Sequence, residues 1–182
     1  MSAGLAGAVL LLESAIGYTV EALGAAEDAD PQAPTPCDRW RLVDLLEHMD
    51  DALDTFVEAA LGRLHPLPTP AGPRLESIRA KGCRLLEAWH ADAPEVVRLG
   101  DQVVPGGLVA GTAALEITVH GWDLFTTLDL DRPLPDHLGR ALLPVARTVV
   151  GPRDRGARFA PARPVTVDAN DAERLLAFLG RG

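Results

Sequence analysis

The sequence has few of the residues that mark several common protein classes. It has two cysteines, Cys37 and Cys83, which are too few for a disulfide framework. Lysine occurs once, at Lys81, and 26 acidic residues against 17 basic ones leave a formal net charge of -9. A nucleic-acid-binding surface needs clustered cations, so this balance predicts that the protein has no nucleic-acid partner.

Long apolar segments and an export signal are also missing. The longest uninterrupted aliphatic run, Ala8 to Leu12, is far shorter than the roughly 20 residues of a membrane-spanning helix. No basic residue precedes that run, as one would in a signal peptide. These features predict a cytoplasmic protein with no membrane partner, whose cysteines are reduced.

Two familiar catalytic motifs are absent. The serines are Ser2, Ser14 and Ser77, and none lies in the Gly-x-Ser-x-Gly motif of a serine hydrolase. The glycine pair after Pro105 lacks the lysine and the spacing of a phosphate-binding loop. The main cationic cluster runs from Arg147 to Arg163, and it is either a solvated loop or a clamp for an anionic substrate.

Helical periodicity dominates what remains. Apolar spacing and turn residues predict helices over residues 4–25, from the candidate N-cap Asp38 to about 61, and over 74–91, 108–128 and 136–150. A short helix from residue 171 should be capped by Asn170 and Glu173. Residues 96–99 and 103–104 could form a short extended pair. The length suits one domain, 1–182, and the fold class is all-α, a helix bundle.

The helix predicted over 108–128 contains the most informative residues. Glu116 and His120 are four residues apart and therefore lie on the same face, where they can share one metal ion. That face also carries Asp123 and lies between two apolar stripes, formed by Leu108, Leu115, Val119 and Trp122 on one side and by Ile117 and Leu124 on the other. The charged strip should therefore face the interior, where a carboxylate needs a partner.

Other candidates have two interpretations each. His48 lies at the edge of the second helix's apolar stripe, so it is either a third metal ligand or a hydrogen-bonded edge residue. Asp123 is the candidate catalytic residue, because it could orient a ligand imidazole; the alternative is a packing role. Cys37 precedes a helix, whose dipole can lower a thiol pKa, but a structural cysteine is the expected role.

Three segments carry a family resemblance. Residues 35–49, TPCDRWRLVDLLEHM, resemble a hallmark of the DinB-like superfamily, and more closely the N-terminal domain of mycothiol-dependent maleylpyruvate isomerases. The histidine that is the first metal ligand in that family corresponds to His48. The family's second signature, an acidic residue followed four positions later by His and often by Gly-Trp-Asp, is matched by Glu116 and residues 120–123. Residues 158–181 resemble the end of a stand-alone actinobacterial subgroup described as metal-binding.

The resemblance implies a DinB-like antiparallel four-helix bundle with a short extended segment and a C-terminal tail. It implies a divalent metal held by His48, Glu116 and His120, with zinc, nickel and iron left open. The implied function is a metal-dependent thiol transferase or thiol-dependent isomerase that uses a mycothiol-type cosubstrate on a small molecule. A thiol-independent isomerase, cyclase or hydrolase and a non-catalytic metal-binding module are the alternatives. Such bundles often form homodimers, and the sequence leaves the oligomeric state open.

Overall fold

Helices make up most of the chain. The computed structural model describes residues 1–37, 39–62, 73–156 and 158–182. Its long helices are α1 (Ala3–Ala25), α2 (Leu42–Leu61), α3 (Arg74–Ala91) and α4 (Gly106–Thr127). Between α3 and α4 lies an antiparallel hairpin of β1 (Val96–Leu99) and β2 (Gln102–Pro105), and after α4 come α5 (Asp136–Val149), a 3-10 turn (Pro152–Asp154) and α6 (Asp171–Phe178). The predicted all-α fold class is confirmed.

The four long helices close into a bundle, because each packs against two of the others. The helix α1 lies against α4 and α3, and α2 lies against α3 and α4. Each helix contributes fully buried leucines to one shared core, such as Leu12, Leu45, Leu85 and Leu124. Burying a leucine side chain stabilises a fold by about 1.5–3 kcal/mol, so this core supplies most of the stability of the bundle.

A close approach between α1 and α4 fixes the orientation of α4. A Cβ atom at Gly121 would lie 2.3 Å from the Thr19 hydroxyl oxygen, so only glycine fits there. The same Thr19 hydroxyl donates a hydrogen bond to the Ile117 carbonyl oxygen at 2.8 Å. Because this contact holds one face of α4 against α1, the charged face of α4 is turned towards α2.

The helix α1 has the length and the apolar composition of a membrane span. Leu10 and Val20 are exposed on its outer face, at 63% and 43%. Its other face is packed into the core by Leu5, Val9, Leu12, Ile16 and Leu23. Composition alone does not separate a core helix from a membrane span, because both are rich in apolar residues.

The predicted helix boundaries agree with the structure to within two residues, except at the start of α2. The predicted N-cap, Asp38, lies outside the described residues, and the helix begins at Leu42 with Arg41 as its N-cap. The Asp44 carboxylate accepts a hydrogen bond from the Arg41 backbone N–H at 2.8 Å. This contact and the turn that joins the Trp40 N–H to the Cys37 carbonyl oxygen delay the helix start, so the prediction of Asp38 as N-cap was wrong.

The chain's one lysine lies in a buried ion cluster between α2 and α3. The Lys81 side chain is 4% exposed, and its ammonium lies 2.9 Å from Asp50 Oδ1 and 2.6 Å from Asp54 Oδ2. The Ser77 hydroxyl donates a further hydrogen bond to Asp50 at 2.6 Å. Burial disfavours the ammonium, but the two carboxylates outweigh burial and raise the pKa of Lys81. The cluster therefore pins α3 to α2.

Replacing Lys81 by methionine should destabilise the protein. The change keeps the side-chain length but leaves the buried Asp50 carboxylate without its cation, which costs roughly 3 kcal/mol. Urea unfolding followed by circular dichroism measures the change. The matched control is Glu87→Ala at an exposed position of α3, which should change the free energy of unfolding by less than about 0.5 kcal/mol. Equal stability of the two variants would contradict a stabilising role for the cluster.

Candidate metal centre

The structure brings His48, Glu116 and His120 together. His48 comes from α2, while Glu116 and His120 lie one turn apart on α4, and one potential ligand atom from each lies within 4.8 Å of the others. Glu116 Oε1 is 2.6 Å from His48 Nε2 and 3.1 Å from His120 Nε2. One carboxylate oxygen therefore lies between two imidazole rings, in an arrangement that could hold a metal ion.

The chemistry of these side chains fits a divalent metal. Two imidazole nitrogens and one carboxylate oxygen suit zinc, nickel or iron, and this donor set does not choose among them. Around one zinc ion the donor atoms are roughly 3.3 Å apart, so the 2.6 Å contact would need to open only slightly. The side chains of His48 and Glu116 are 38% and 26% exposed, so the centre is open on that side. Three protein donors with an open side are typical of a catalytic metal site.

The charged groups stabilise each other electrostatically. Burial disfavours the Glu116 carboxylate, but the neighbouring rings of His120 and His48 outweigh burial and hold the pKa of that carboxyl well below its usual range. Burial also disfavours the charged His120 ring, yet Glu116 and Asp123 raise the pKa of His120 to about 9. In the absence of metal the Glu116 carboxylate and the protonated His120 ring therefore form an ion pair.

Asp123 lies behind His120. Its side chain has no exposed surface, and Asp123 Oδ2 is 2.9 Å from His120 Nδ1. This contact pairs Nδ1 with the carboxylate and leaves Nε2 facing Glu116. A carboxylate behind a metal-binding histidine commonly orients the ring in this way. Asp123, the candidate catalytic residue of the sequence analysis, is thus placed where it can position the ring, and where substrate cannot touch it.

Arg181 is the partner of Asp123, and the sequence analysis did not identify it. Its guanidinium donates two hydrogen bonds to the carboxylate, from Nε to Oδ1 at 2.7 Å and from Nη2 to Oδ2 at 2.8 Å. Burial disfavours the Asp123 carboxylate, but His120 and Arg181 lower the pKa of that carboxyl despite it. The available signal was indirect: a buried carboxylate requires a cation, but 58 residues separate the pair, so no spacing identifies it.

Trp40 also contacts the centre. Its ring centroid is 4.7 Å from that of His48 and 6.0 Å from that of His120. The indole therefore covers the two imidazoles from the loop before α2. A signal for this role existed in the Thr-Pro-Cys-x-x-Trp stretch, which places the tryptophan eight residues before His48.

Cys37 does not have the properties of a reactive thiol. Its sulfur lies 3.8 Å from Asp123 Oδ2 and 3.5 Å from Arg181 Nη2, behind His120. Burial, followed by the Asp123 charge, raises the pKa of the thiol to about 11. The structure therefore favours the structural role of Cys37, since α2 begins five residues later and burial raises the pKa of the thiol.

In the cationic segment from Arg147 to Arg163, one arginine side chain, that of Arg155, anchors the end of α6. The Arg155 guanidinium donates to the carbonyl oxygens of Phe178 at 2.7 Å and Ala160 at 3.1 Å. Arg158 pairs with Asp154 at 3.4 Å. Neither arginine contacts the metal centre. Among the other histidines, His90 and His137 are exposed and lie outside the centre, and His65 falls outside the described residues.

A narrow apolar cleft adjoins the centre. Its cavity volume is about 30 Å³, and Glu116 forms part of its wall. The rest of the wall is almost entirely apolar and comes from α1, α2, α3 and α4, with side chains that include Ile16, Val20, Leu23, Met49, Phe56 and Ile78. On α2 the cleft begins immediately after His48, so the cleft and the metal centre share one end.

These features define a class of protein: a helical bundle in which two histidines and one carboxylate from facing helices form a candidate metal site. Residues 12–125 match the family model of the mycothiol maleylpyruvate isomerase N-terminal domain, and the chain belongs to that family. This membership confirms the resemblance seen in residues 35–49 and 116–123.

The similar curated proteins do not carry a described activity. Two uncharacterized proteins of Mycobacterium tuberculosis, one from strain H37Rv and one from strain CDC 1551, are each 30% identical to this chain over 154 residues. The match covers 81% of this chain and 83% of each relative. No solved structure matches the chain significantly.

Removing either ligand histidine should abolish tight metal binding. His48→Ala and His120→Ala each delete one of three donors, so zinc affinity should fall more than about 100-fold, beyond the effect of losing a group behind a ligand. Competition with a coloured chelator measures the affinity, and His90→Ala at an exposed position of α3 is the control. Unchanged zinc affinity in His48→Ala would exclude His48 from the metal site.

Metal affinity should depend on pH in a defined direction. Because the pKa of His120 is raised to about 9 in the metal-free protein, the ring holds a proton at neutral pH that a metal must displace. Zinc affinity should therefore rise about tenfold per pH unit between about pH 7 and 9 and level off above that range. Chelator competition at a series of pH values, corrected for the chelator's own protonation, checks this. An affinity independent of pH over that range would show that no proton is displaced.

Proposed function

We propose that this protein is a metal-dependent enzyme that activates a low-molecular-weight thiol of the mycothiol type. The activated thiol is transferred to, or promotes the isomerisation of, a small electrophilic molecule. The observation that carries the proposal is the convergence of His48, Glu116 and His120 from two helices at a solvent-open point. Membership of a family named for a mycothiol-linked isomerase supports the choice of cosubstrate.

The residues around the centre have different roles in the proposed function. When bound, a divalent cation would supply the positive charge that lowers the pKa of a thiol or a water towards neutrality. His48 and Glu116 form the exposed wall of the centre, which reactants can approach. On the opposite side, Asp123 holds the buried His120 ring in one orientation. Trp40 shields both imidazoles from part of the solvent, which strengthens the electrostatic interactions among them.

The apolar cleft supports a substrate with an apolar portion. Met49 and Ala52 line it within one turn of His48 on α2, and Phe56 follows one turn later. The cleft has a volume of only about 30 Å³, so the apolar part of a molecule whose reactive end lies near Glu116 would enter as these side chains move apart. Burial of that part would contribute about 25 cal/mol per Å². We also propose a cytoplasmic location, because low-molecular-weight thiols are kept reduced there. The free state of both Cys37 and Cys83 agrees with such a location.

Thiol consumption tests the proposed function directly. The zinc-, nickel- or iron-loaded protein is incubated with mycothiol and a panel of electrophiles that includes an α,β-unsaturated ketone, and loss of free thiol is followed. We expect metal-dependent turnover that falls at least about 100-fold in His48→Ala, since one metal ligand is lost. Cys83→Ser should retain full turnover, because Cys83 is exposed and lies outside the centre.

The remaining outcomes separate the alternatives. Turnover of a substrate at the same rate without any thiol would favour a thiol-independent isomerase, cyclase or hydrolase on the same scaffold. Tight metal binding with no turnover of any substrate and no thiol binding would favour a non-catalytic metal-binding module.

A further inference from the structure

An arginine that follows the last helix, α6, lies at the back of the metal centre. The Arg181 side chain is 10% exposed, and the Asp123 side chain that it contacts has no exposed surface. The two hydrogen bonds between them, at 2.7 and 2.8 Å, are parallel and charge-assisted. Two parallel hydrogen bonds fix the plane of a carboxylate, whereas a carboxylate with a single hydrogen bond can still rotate.

A tight turn at the end of α6 places the Arg181 side chain against Asp123. Gly180 adopts a left-handed conformation with φ of 82°. The Gly180 N–H donates to the Ala177 carbonyl oxygen at 3.1 Å, and the Arg181 N–H to the Leu176 carbonyl oxygen at 2.8 Å, which is the hydrogen-bond pattern of a Schellman turn. A Cβ at Gly180 would lie 2.7 Å from the Ala160 Cβ and 2.8 Å from the Ala160 carbonyl oxygen, so only glycine fits.

Two further contacts hold the turn in place. Arg155 donates hydrogen bonds to the carbonyl oxygens of Phe178 and Ala160, and so ties the loop before α6 to the end of that helix. Cys37, from the loop before α2, lies 3.5 Å from Arg181 Nη2. The loops before α2 and before α6 therefore both contact the end of α6, and Arg181 lies behind Asp123 and the His120 ring.

We propose that Arg181 is a positioning residue of the metal centre. It fixes the Asp123 carboxylate so that Oδ2 accepts a hydrogen bond from His120 Nδ1, and it thereby directs His120 Nε2 towards Glu116 and His48. The inference deepens the proposed function and depends on its metal centre. Arg181 lies outside residues 12–125, the part of the chain that matches the family model, so the tail beyond the matched region contributes to the centre.

Substitutions at Arg181 test the proposal through metal affinity. Arg181→Met removes the guanidinium and should weaken zinc binding about 10- to 100-fold, as loss of a group behind a ligand histidine does. Arg181→Lys keeps the charge but cannot form two parallel hydrogen bonds, so its affinity should stay below that of the unaltered protein. Arg163→Met is the matched control, since Arg163 is an exposed arginine of the same tail.

Substitutions at two glycines distinguish the effect of the turn geometry from the effect of the Arg181 charge. Gly180→Ala should weaken zinc binding although Arg181 is still present, because the added Cβ displaces the turn. Gly156→Ala is the control: its φ is also 82°, but a Cβ there meets nothing within 4 Å. Circular dichroism unfolding of all variants identifies any that are not folded at the temperature of the binding assay.

A readout on the metal-free protein makes the outcome independent of the proposed activity. In the unaltered protein the His120 Nδ1 proton should give a slowly exchanging NMR signal, which Arg181→Met and Gly180→Ala should lose. Retention of that signal in both variants, with zinc affinity within twofold of the unaltered protein, would overturn the inference. Full affinity in Arg181→Lys would also overturn it, because charge alone would then suffice. If the unaltered protein binds no zinc, nickel or iron, the proposed function fails, and the NMR signal alone decides whether Arg181 positions His120.

Discussion

The burial of charge along one face of α4 is the constraint on which the rest of the structure depends. Asp123 has no exposed side-chain surface, and the His120 side chain is only 8% exposed. An unpaired charge at such depth costs several kcal/mol, and the two carboxylates of this face, Glu116 and Asp123, both have partners from other segments. Asp123 pairs with Arg181 from the tail, and Glu116 contacts His48 from α2. The contacts that pack α2 and the tail against α4 are therefore the same contacts that assemble the candidate site.

The sequence predicts this constraint better than it predicts the partners. The inward orientation of Glu116 and His120 follows from the two apolar stripes beside them, because burial has a helical period. His48 has no such support, and its assignment as a ligand depended on the family resemblance. Arg181 and Trp40 reach the centre through a Schellman turn and a loop. No periodicity describes the path of such segments, so Arg181 is found only in the structure, and the sequence signal for Trp40 comes from a family motif and not from helical spacing.

Two ionic clusters on α2 show how a structural group differs from a candidate functional one. The Lys81 ammonium is closed off, with a side-chain exposure of 4% and two carboxylates around it. Its interactions bind α3 to α2, and the ammonium takes up the carboxylate oxygens that a cation would otherwise contact. His48 faces α4 instead, is 38% exposed, and shares a carboxylate oxygen with a second imidazole. Charge burial is common to both clusters, but only the second combines donor atoms with access from solvent.

The centre has a closed back and an open front, and this asymmetry limits where chemistry can change. Asp123, Arg181 and Cys37 fill the space behind His120, so a substitution there alters the orientation of a ligand ring before it alters the fit of a substrate. The front is formed by His48 and Glu116, and the apolar cleft begins beside them. Residues of the cleft wall, such as Ala52 and Phe56, contact neither the ligand nitrogens nor Asp123 in any hydrogen bond or ring stack of the described structure. Under the proposed function, changes in the cleft wall would alter the choice of substrate and leave the donor atoms of the centre unchanged.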